Sequence, residues 1–213
     1  MRPLSDHTPK PMLPVQGKPL MQWTMESMQR AGVQDLVVNT AWLGEQIPKH
    51  FGNCFDLADA PQIEEEKASV TATPMHMHYS QEGKDFGEAL ETAGGIVRAL
   101  PMLADVFWVA AGDVWMPDFS FAREAFASFE ASNQLAHIWL VPNPLHNLRG
   151  DFGIAFDDHN HPNGANQSQT TPRQGRALNL PTDSTAPRWT VSTVAVYQKA
   201  FFQSACCDIR VGN

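Results

Sequence analysis

Residues 105–115, DVFWVAAGDVW, join an apolar run to a glycine–aspartate pair. The apolar run predicts a buried strand, so Asp113 would stand at the end of that strand where ligands bind in open α/β sheets. Gly112 would let a ligand or another backbone approach closely. A carboxylate in this place suits Mg²⁺ held beside substrate phosphates. An aspartate here could equally cap a helix or turn a loop, and the spacing leaves both interpretations open.

Helical and extended patterns alternate on both sides of this strand. Residues 18–31, KPLMQWTMESMQRA, place apolar side chains along one side and predict a helix that ends at Gly32. Residues 35–42, DLVVNTAW, predict a buried strand. Further helices are predicted at 43–51, at 89–103 after a turn, at 118–131 with Phe119, Ala122, Phe126 and Phe129 on one side, and from 198 onward. Further strands are predicted at 75–80, 136–144 and 188–197, with a strand and hairpin turn at 152–164 and polar loops at 53–74 and 160–187. This alternation predicts an α/β fold, with a Rossmann-like, mostly parallel sheet and helices on both faces.

Composition limits the classes of function. The chain has 213 residues and a formal net charge of −8, which fits one domain and argues against a nucleic-acid binder with a basic face. Nucleotide substrates stay open, because a few local cations, backbone N–H groups and a metal can bind them. The three cysteines, Cys54, Cys206 and Cys207, do not form a disulfide framework. With no long apolar run and no signal core, we expect a cytoplasmic protein without a membrane partner.

Two segments offer groups that could bind phosphate. Lys10 lies between Pro9 and Pro11, which fix the backbone and lower the entropy lost in holding one cation in place. Arg2 could act similarly, although it stands next to the chain start. Gly94 and Gly95 follow Thr92 near a predicted helix start, where backbone N–H groups could meet a phosphate or the edge of a base. An exposed lysine in a stiff loop and a tight glycine turn are the alternatives, and each motif alone is weak.

Polar residues that suit sugar hydroxyls follow the strand at 136–144. Asn143 lies in VPNP and Asp151 in RGDF, although loops contain such residues routinely. His76 and His78 alternate on a strand and would point to one face. No third ligand stands at a diagnostic spacing, so a histidine metal site is not favoured over a surface pair.

The order of the motifs resembles the sugar-1-phosphate nucleotidyltransferase family. The resemblance rests on MRPLSDHTPKPMLPVQGKPL, AGVQDLVVNTAWLGEQI, ETAGGIVRALPML, VAAGDVW, VPNPLHNLRGDFGI and WTVSTVAVY, and covers nearly the whole chain apart from 53–74 and 160–187. NTAWLGEQI and NPLHNLRGDF favour the branch of bacterial N-acetylmuramate α-1-phosphate uridylyltransferases, which implies a part in peptidoglycan recycling. The implied domain spans 1–213, with a nucleotide-binding part at 1–142 and an incomplete sugar-binding part at 143–213.

The resemblance also implies a reaction, partners and a set of site residues. A sugar 1-phosphate oxygen would attack the α-phosphorus of a nucleoside triphosphate, with UTP the implied nucleotide, and release pyrophosphate in the presence of Mg²⁺. Guanylyl- and thymidylyltransferases share this skeleton and stay open as alternatives. The implied roles are catalysis at the triphosphate for Arg2 and Lys10, nucleotide binding for Glu88, Thr92, Gly94 and Gly95, metal binding for Asp113, and sugar binding for Asn143, Asp151 and Ser192.

Three departures from the family pattern accompany these expectations. We expect the family's Gly-rich loop and its strand to belong before Arg2, and a second metal-binding aspartate to belong beyond Asn213. We therefore expect this chain by itself to release little pyrophosphate, and a non-catalytic remnant or fragment of the same fold stays open. Thr193 stands where the family pattern has glycine, and its Cβ and hydroxyl could crowd the sugar.

Overall fold

A computed structural model describes residues 3–59, 73–83, 90–156 and 174–205. The chain divides into two compact units, Met1–His137 with Ala195–Asn213, and Ile138–Val194. Within the described ranges, no helix is both long enough and apolar enough to cross a membrane.

The helices and strands follow the predicted alternation. The first unit contains β1 (Pro14–Val15), β2 (Lys18–Pro19), α1 (Leu20–Arg30), β3 (Asp35–Thr40), α2 (Gln46–Phe51), β4 (Cys54–Phe55), β5 (Met75–Gln81), α3 (Thr92–Ala99), β6 (Val106–Ala110), α4 (Arg123–Glu130) and α5 (Lys199–Ala205). Strands β7 (Ala136–Val141) and β10 (Thr190–Gln198) pass from one unit into the other, and β8 (Gly153–Phe156) and β9 (Gly175–Leu178) belong to the second unit. Short 3₁₀ turns lie at Leu4–Asp6, Lys10–Met12, Leu57–Asp59 and Leu100–Met102.

The longer sheets have three strands each, in the orders β3-β5-β4 and β6-β10-β7. Strands β3 and β5 are parallel, with Asp35 opposite His76 and Thr40 opposite Gln81, whereas β4 runs antiparallel to β5. Strands β1 and β2, and likewise β8 and β9, form antiparallel pairs. Helices connect strands along the chain as predicted, and the α/β fold class is confirmed.

Apolar side chains from α1, α2 and the β3-β5-β4 sheet form one core cluster in the first unit. Its buried members are Met21, Met25, Ile47, Phe55, Met75 and Met77. A second cluster joins Ile96 of α3, Phe107 of β6 and Phe202 of α5. Strands β3, β5 and β6 are therefore packed into these cores, which holds their carboxyl ends in place.

Four local predictions were wrong: two helices begin later than predicted, and two strands lie in segments predicted as loops. Residues 18 and 19 pair with β1, so α1 begins at Leu20. Helix α4 begins at Arg123, because a turn closed by the Phe119 N–H on the Met116 carbonyl comes before it, and the Phe119 carbonyl accepts a hydrogen bond from Ser27 Oγ at 2.8 Å. Strands β4 and β9 lie in segments predicted as loops, because each has an antiparallel partner distant in sequence.

Candidate active site

The proline-flanked lysine and the glycine–aspartate pair belong to neighbouring pieces of backbone. Lys10 opens a 3₁₀ turn in which Met12 N–H donates to the Pro9 carbonyl at 2.8 Å. A Cβ built on Gly112 would lie 3.5 Å from Pro11 Cβ, which is ordinary van der Waals contact. Pro11 and Gly112 therefore lie against each other. Lys10 directly precedes Pro11 in the chain and Asp113 directly follows Gly112, and the side chains of Lys10 and Asp113 are exposed. A cation and a carboxylate so placed suit a triphosphate and its metal.

Asp113 follows the end of β6, as the sequence predicts. Among the described residues, no group of three or more His, Cys, Asp or Glu side chains could hold a metal ion by itself. Mg²⁺ is commonly bound through one or two carboxylates, with substrate phosphates and water completing six oxygens. The Asp113 carboxylate fits that mode, since it would supply one oxygen to the metal.

The segment predicted to border the nucleotide includes Gly95, which lies against the ends of β3 and β5. Glu82 follows β5, is only 4% exposed, and its Oε2 accepts a hydrogen bond from the Leu90 N–H at 2.9 Å. A Cβ on Gly95 would lie 2.5 Å from Glu82 Oε1 and 2.7 Å from Asn39 Nδ2. The missing side chain of Gly95 is what lets these two polar groups lie against the first turn of α3.

The residues of the first turn of α3 differ in whether their backbone N–H groups are hydrogen-bonded within the helix. Gly95 N–H already donates to the Glu91 carbonyl at 2.9 Å, so it is committed to the helix. Thr92 and Gly94 lie earlier in the turn, where backbone N–H groups have no partner within the helix. Thr92 is exposed, and no side chain caps the helix at Glu91. Arg2 and Glu88 lie outside the described residues.

The three residues predicted to bind sugar lie close together in the second unit. Asp151 Oδ2 accepts a hydrogen bond from the Val191 N–H at 2.8 Å, beside Ser192, and Asp151 Oδ1 accepts one from Asn147 Nδ2 at 3.0 Å. Asn143 donates to the Arg188 carbonyl at 3.0 Å and accepts from Thr190 Oγ1 at 3.0 Å. Asn143 and Asp151 thus fasten the loop at 143–151 to the start of β10.

Backbone conformation at the start of β10 is unusual. Thr193 has φ +71°, in the left-handed region that β-branched residues rarely adopt. Val194 N–H donates to Ser192 Oγ at 3.3 Å, across the turn of backbone that this conformation makes. Strain of this kind clusters at functional sites, where the surrounding structure holds it in place.

Sequence reasoning missed several residues that shape the first turn of α3 and the start of β10. Glu82 and Asn39 were not predicted, and neither were Asn147, Thr190 and Arg188. Arg188 donates from Nη2 to the carbonyls of Leu180 at 2.9 Å and Pro181 at 2.6 Å, and from Nη1 to that of Asp151 at 3.1 Å. No signal in the sequence marks Glu82, which lies two residues beyond the strand predicted at 75–80.

Similarity to known proteins extends over most of the chain. The sequence model of the nucleotidyl transferase family matches residues 1–165. The chain belongs to that family. It is 40% identical over 174 residues to the N-acetylmuramate alpha-1-phosphate uridylyltransferase of Neisseria meningitidis serogroup B, a match that covers 78% of this chain and 65% of the relative. It is 30% identical over 118 residues to a UTP–glucose-1-phosphate uridylyltransferase of Synechocystis, covering 53% of this chain and 27% of that protein.

Solved structures share the fold at low sequence identity. A UDP-glucose pyrophosphorylase solved with UDP-glucose aligns with a TM-score of 0.64 and 14% identity, over 100% of this chain and 76% of that one. A putative glucose-1-phosphate thymidylyltransferase of Bacillus anthracis aligns with a TM-score of 0.64 and 15% identity, over 99% of this chain and 70% of that one. The likeness in fold therefore extends through both units, whereas the family match in sequence covers residues 1–165. The chain spans 65% of the length of the Neisseria relative.

Proposed function

We propose that this protein takes part in nucleotidyl transfer from UTP to a sugar 1-phosphate. The observation that supports the proposal is the contact between Pro11 and the Gly112 position, which are next to Lys10 and Asp113 in the sequence, in a chain of the nucleotidyl transferase family. An oxygen of the sugar phosphate attacks the α-phosphorus of UTP, the new P–O bond forms, and the bond to the leaving pyrophosphate breaks. Such a transfer depends on positioning and charge neutralisation and needs no covalent enzyme intermediate.

Lys10, Asp113 and Arg2 are assigned to the triphosphate. Lys10 presents its ammonium from a turn whose backbone is fixed by two prolines, so little entropy is lost when it binds a phosphate oxygen. Asp113 would hold Mg²⁺, and the metal when bound would neutralise charge on the phosphates. Arg2 is assigned by family resemblance alone.

Glu88, Thr92, Gly94 and Gly95 are assigned to the base and ribose. Thr92 and Gly94 would present N–H groups at the start of α3, whereas Gly95 acts by admitting the Glu82 carboxylate and the Asn39 amide. In the second unit, Ser192 would meet the sugar, while Asn143 and Asp151 hold the backbone on which Ser192 stands.

The sugar we propose is N-acetylmuramate 1-phosphate, which would place the protein in peptidoglycan recycling in the cytoplasm. The support is the 40% identity to a protein that bears this activity in its name. Transfer from GTP or dTTP is the second candidate, because one structure with this fold is described as a putative thymidylyltransferase.

Nucleotide binding gives the first test. Titration of UTP, GTP and dTTP into the protein, with Mg²⁺ and with EDTA, should show tightest binding for UTP with Mg²⁺. Asp113→Asn should remove the Mg²⁺ effect, and Asp118→Asn, an exposed aspartate five residues further on, should keep it. A protein that binds no nucleoside triphosphate in Mg²⁺ would overturn the proposal, and tighter binding of GTP or dTTP would select the second candidate.

Pyrophosphate release gives the second test. The chain is mixed with Mg–UTP and either N-acetylmuramate 1-phosphate or glucose 1-phosphate, and pyrophosphate is measured with time. Slow release that requires the amino-sugar phosphate supports the proposed substrate. Release that is faster with glucose 1-phosphate would overturn the choice of sugar.

A further inference from the structure

The motif NTAWLGEQI, which leads from β3 into α2, is hydrogen-bonded to the segment at residues 3–9. Trp42 Nε1 donates to the Ser5 carbonyl at 3.2 Å. Gln46 Nε2 donates to the His7 carbonyl at 3.0 Å. Two side chains of one motif therefore reach two carbonyls that stand close together in the 3–9 segment.

The 3–9 segment, which ends beside Lys10, has little packing of its own. Leu4–Asp6 form one 3₁₀ turn, closed by the Asp6 N–H on the Pro3 carbonyl at 3.0 Å, and none of its three residues is buried. Short turns with few buried contacts need contacts from outside to keep one position. The two hydrogen bonds from NTAWLGEQI are such contacts.

The motif itself is anchored in the core of the first unit. Gly44 N–H donates to the Ala41 carbonyl at 3.2 Å, which closes a tight turn at Trp42. Leu43 in this turn has φ +51°, a left-handed conformation that is uncommon for leucine. Ile47, in the first turn of α2, is 3% exposed and belongs to the core cluster. The motif can therefore hold a segment that is packed less well.

The same turn also contacts the segment that leads to α3, where the base and ribose are assigned. A Cβ built on Gly83 would lie 2.9 Å from the Ala41 carbonyl oxygen. The residue before Gly83 is Glu82, whose carboxylate accepts the Leu90 N–H at 2.9 Å. One anchored turn thus touches both the 3–9 segment and the segment beyond β5, and it fixes where the first lies relative to the second.

We propose that Trp42 and Gln46 are positioning residues for the triphosphate. Their hydrogen bonds hold the backbone before Lys10, while the contact of Pro11 with the Gly112 position holds the backbone after it. Lys10 then meets the outer phosphates from a backbone that has little freedom left to lose. The inference rests on the proposed function and adds two residues that act through Lys10 rather than by touching the nucleotide.

The Trp42 side chain also offers an alternative, because it is 66% exposed and an indole can stack on a nucleobase. Positioning is favoured because Gln46, which has no ring, bonds to the same segment in the same way. The two roles predict different losses. Stacking would affect UMP and UTP alike and would involve Trp42 alone, whereas positioning would affect UTP most and would involve both residues.

Nucleotide binding tests the inference. Trp42→Phe keeps an aromatic ring and removes the indole donor, and Gln46→Met keeps the length of the side chain and removes the amide. Each change should raise the Kd for Mg–UTP by about threefold, and both together by about tenfold, because each removes one neutral hydrogen bond. The Kd for UMP, which lacks the outer phosphates, should change by less than about twofold. The Tm should stay close to that of the parent, because both bonds are exposed.

A double-mutant cycle shows whether the effect passes through Lys10. In the Lys10→Gln background, Trp42→Phe with Gln46→Met should raise the Kd for Mg–UTP by at most about threefold, because the group that they position is gone. Trp23→Phe is the matched control, since it removes an indole N–H that donates to the Val15 carbonyl at 3.1 Å, outside the 3–9 segment. This control should leave the ratio of the UTP and UMP affinities unchanged.

Amide exchange without nucleotide tests the hydrogen bonds themselves. In the variant that carries Trp42→Phe and Gln46→Met, the Asp6 amide should exchange faster than in the parent. Gln134→Met, which removes an exposed amide elsewhere in the first unit, should leave this rate unchanged. An unchanged rate at Asp6 in the first variant would mean that the two bonds do not hold the turn, and the inference would fail.

Three binding results would also overturn the inference. One is an unchanged Kd for Mg–UTP when both residues are replaced. Another is an equal loss of affinity for UTP and UMP, which would indicate stacking. The third is the same loss with and without Lys10, which would indicate a structural role only. In all three the parent still binds Mg–UTP and the proposed function stands, whereas a parent that binds no nucleoside triphosphate would overturn the proposed function and this inference together.

Discussion

The Asp151 carboxylate accepts the Val191 N–H at 2.8 Å and Asn147 Nδ2 at 3.0 Å, so one exposed side chain ties the 143–151 loop to the start of β10. Gly150 lets this loop turn, since it has φ +69° and a Cβ there would lie 2.6 Å from Asn143 Oδ1. The carboxylate therefore acts on backbone geometry, which is a positioning role.

Asp151→Ala should loosen the start of β10. Two hydrogen bonds are lost at an exposed site, so we expect the free energy of unfolding to fall by about 1 kcal/mol. Amide exchange at 190–194 should quicken by more than the average over the chain. Asp183→Ala, in the same unit and equally exposed, serves as the control and should change neither measurement. Equal exchange in the two variants would show that Asp151 does not hold this strand.

The glycine pair at the start of α3 should respond unequally to alanine. At Gly95 the new Cβ would lie 2.5 Å from Glu82 Oε1, so the carboxylate must shift away from its bond to Leu90 N–H. We expect Gly95→Ala to destabilise the fold by about 1–3 kcal/mol, as overpacking does. At Gly94 the new Cβ would come closest to the Leu90 side chain, with Leu90 Cβ at 3.2 Å. The better helix propensity of alanine offsets that contact, so Gly94→Ala should stay within about 1 kcal/mol of the parent. Urea unfolding measures the stability of the two variants. Equal losses of unfolding free energy in Gly95→Ala and Gly94→Ala would contradict this account of Gly95.

Strand and helix patterns predicted much of the fold, because buried strands and helices need apolar residues at regular spacings. Strands β3, β5 and β6 were found because apolar or alternating residues run through them, and Asp113 was placed correctly at the end of one. Strand β9 was missed because Gly175–Leu178 is mostly exposed and owes its pairing to β8. The helix predicted to begin at residue 118 begins later, because distant groups, such as Ser27 Oγ on the Phe119 carbonyl, determine the backbone conformation there.

The candidate site was only partly predictable for the same reason. Lys10 and Asp113 stand in local motifs that signal phosphate and metal chemistry. Glu82 and Asn39 both lie beside Gly95 because β3 and β5 pair in parallel, with Asn39 opposite Ser80. No local pattern reports such a register, so these residues had to be found in the structure.

Thr193→Gly should relieve backbone strain in β10. A β-branched residue at φ +71° costs about 1–2 kcal/mol, whereas glycine in a strand loses about 0.5–1 kcal/mol through backbone entropy. The variant should therefore be as stable as the parent or more stable by about 1 kcal/mol. Val191→Gly, two residues earlier and without a positive φ, should be destabilising in the same urea titration. A loss at Thr193 as large as that at Val191 would mean that the left-handed backbone carries no strain.

Stability should fall in mild acid through His137. Burial lowers the pKa of His137 from its ordinary value of 6.5, and the Phe129 ring stands nearly perpendicular to the imidazole at a centroid distance of 6.4 Å. Below pH 6.5 the unfolded chain takes up a proton that the folded chain resists, so the contribution is complete above that pH and is lost as the pH falls. His137→Gln should flatten the pH dependence of unfolding between pH 7 and pH 5, and His146→Gln, an exposed control, should not. Parallel curves for the parent and His137→Gln would exclude His137 as the source.

Lys10→Gln should weaken nucleotide binding without disturbing the fold. The side chain is exposed, and the turn that carries it is closed by backbone hydrogen bonds, so the Tm should stay close to that of the parent. Loss of one charge-assisted hydrogen bond to a phosphate should raise the Kd for Mg–UTP by about tenfold. The loss should be smaller for UMP, which lacks the outer phosphates, and smaller again at high salt, which screens the charge. Lys49→Gln removes a charge of the same kind from an exposed position of α2 and should leave both affinities unchanged. An equal loss of UTP affinity in the two variants would reduce the role of Lys10 to general electrostatic attraction, and an unchanged Kd in Lys10→Gln would remove it from the triphosphate site.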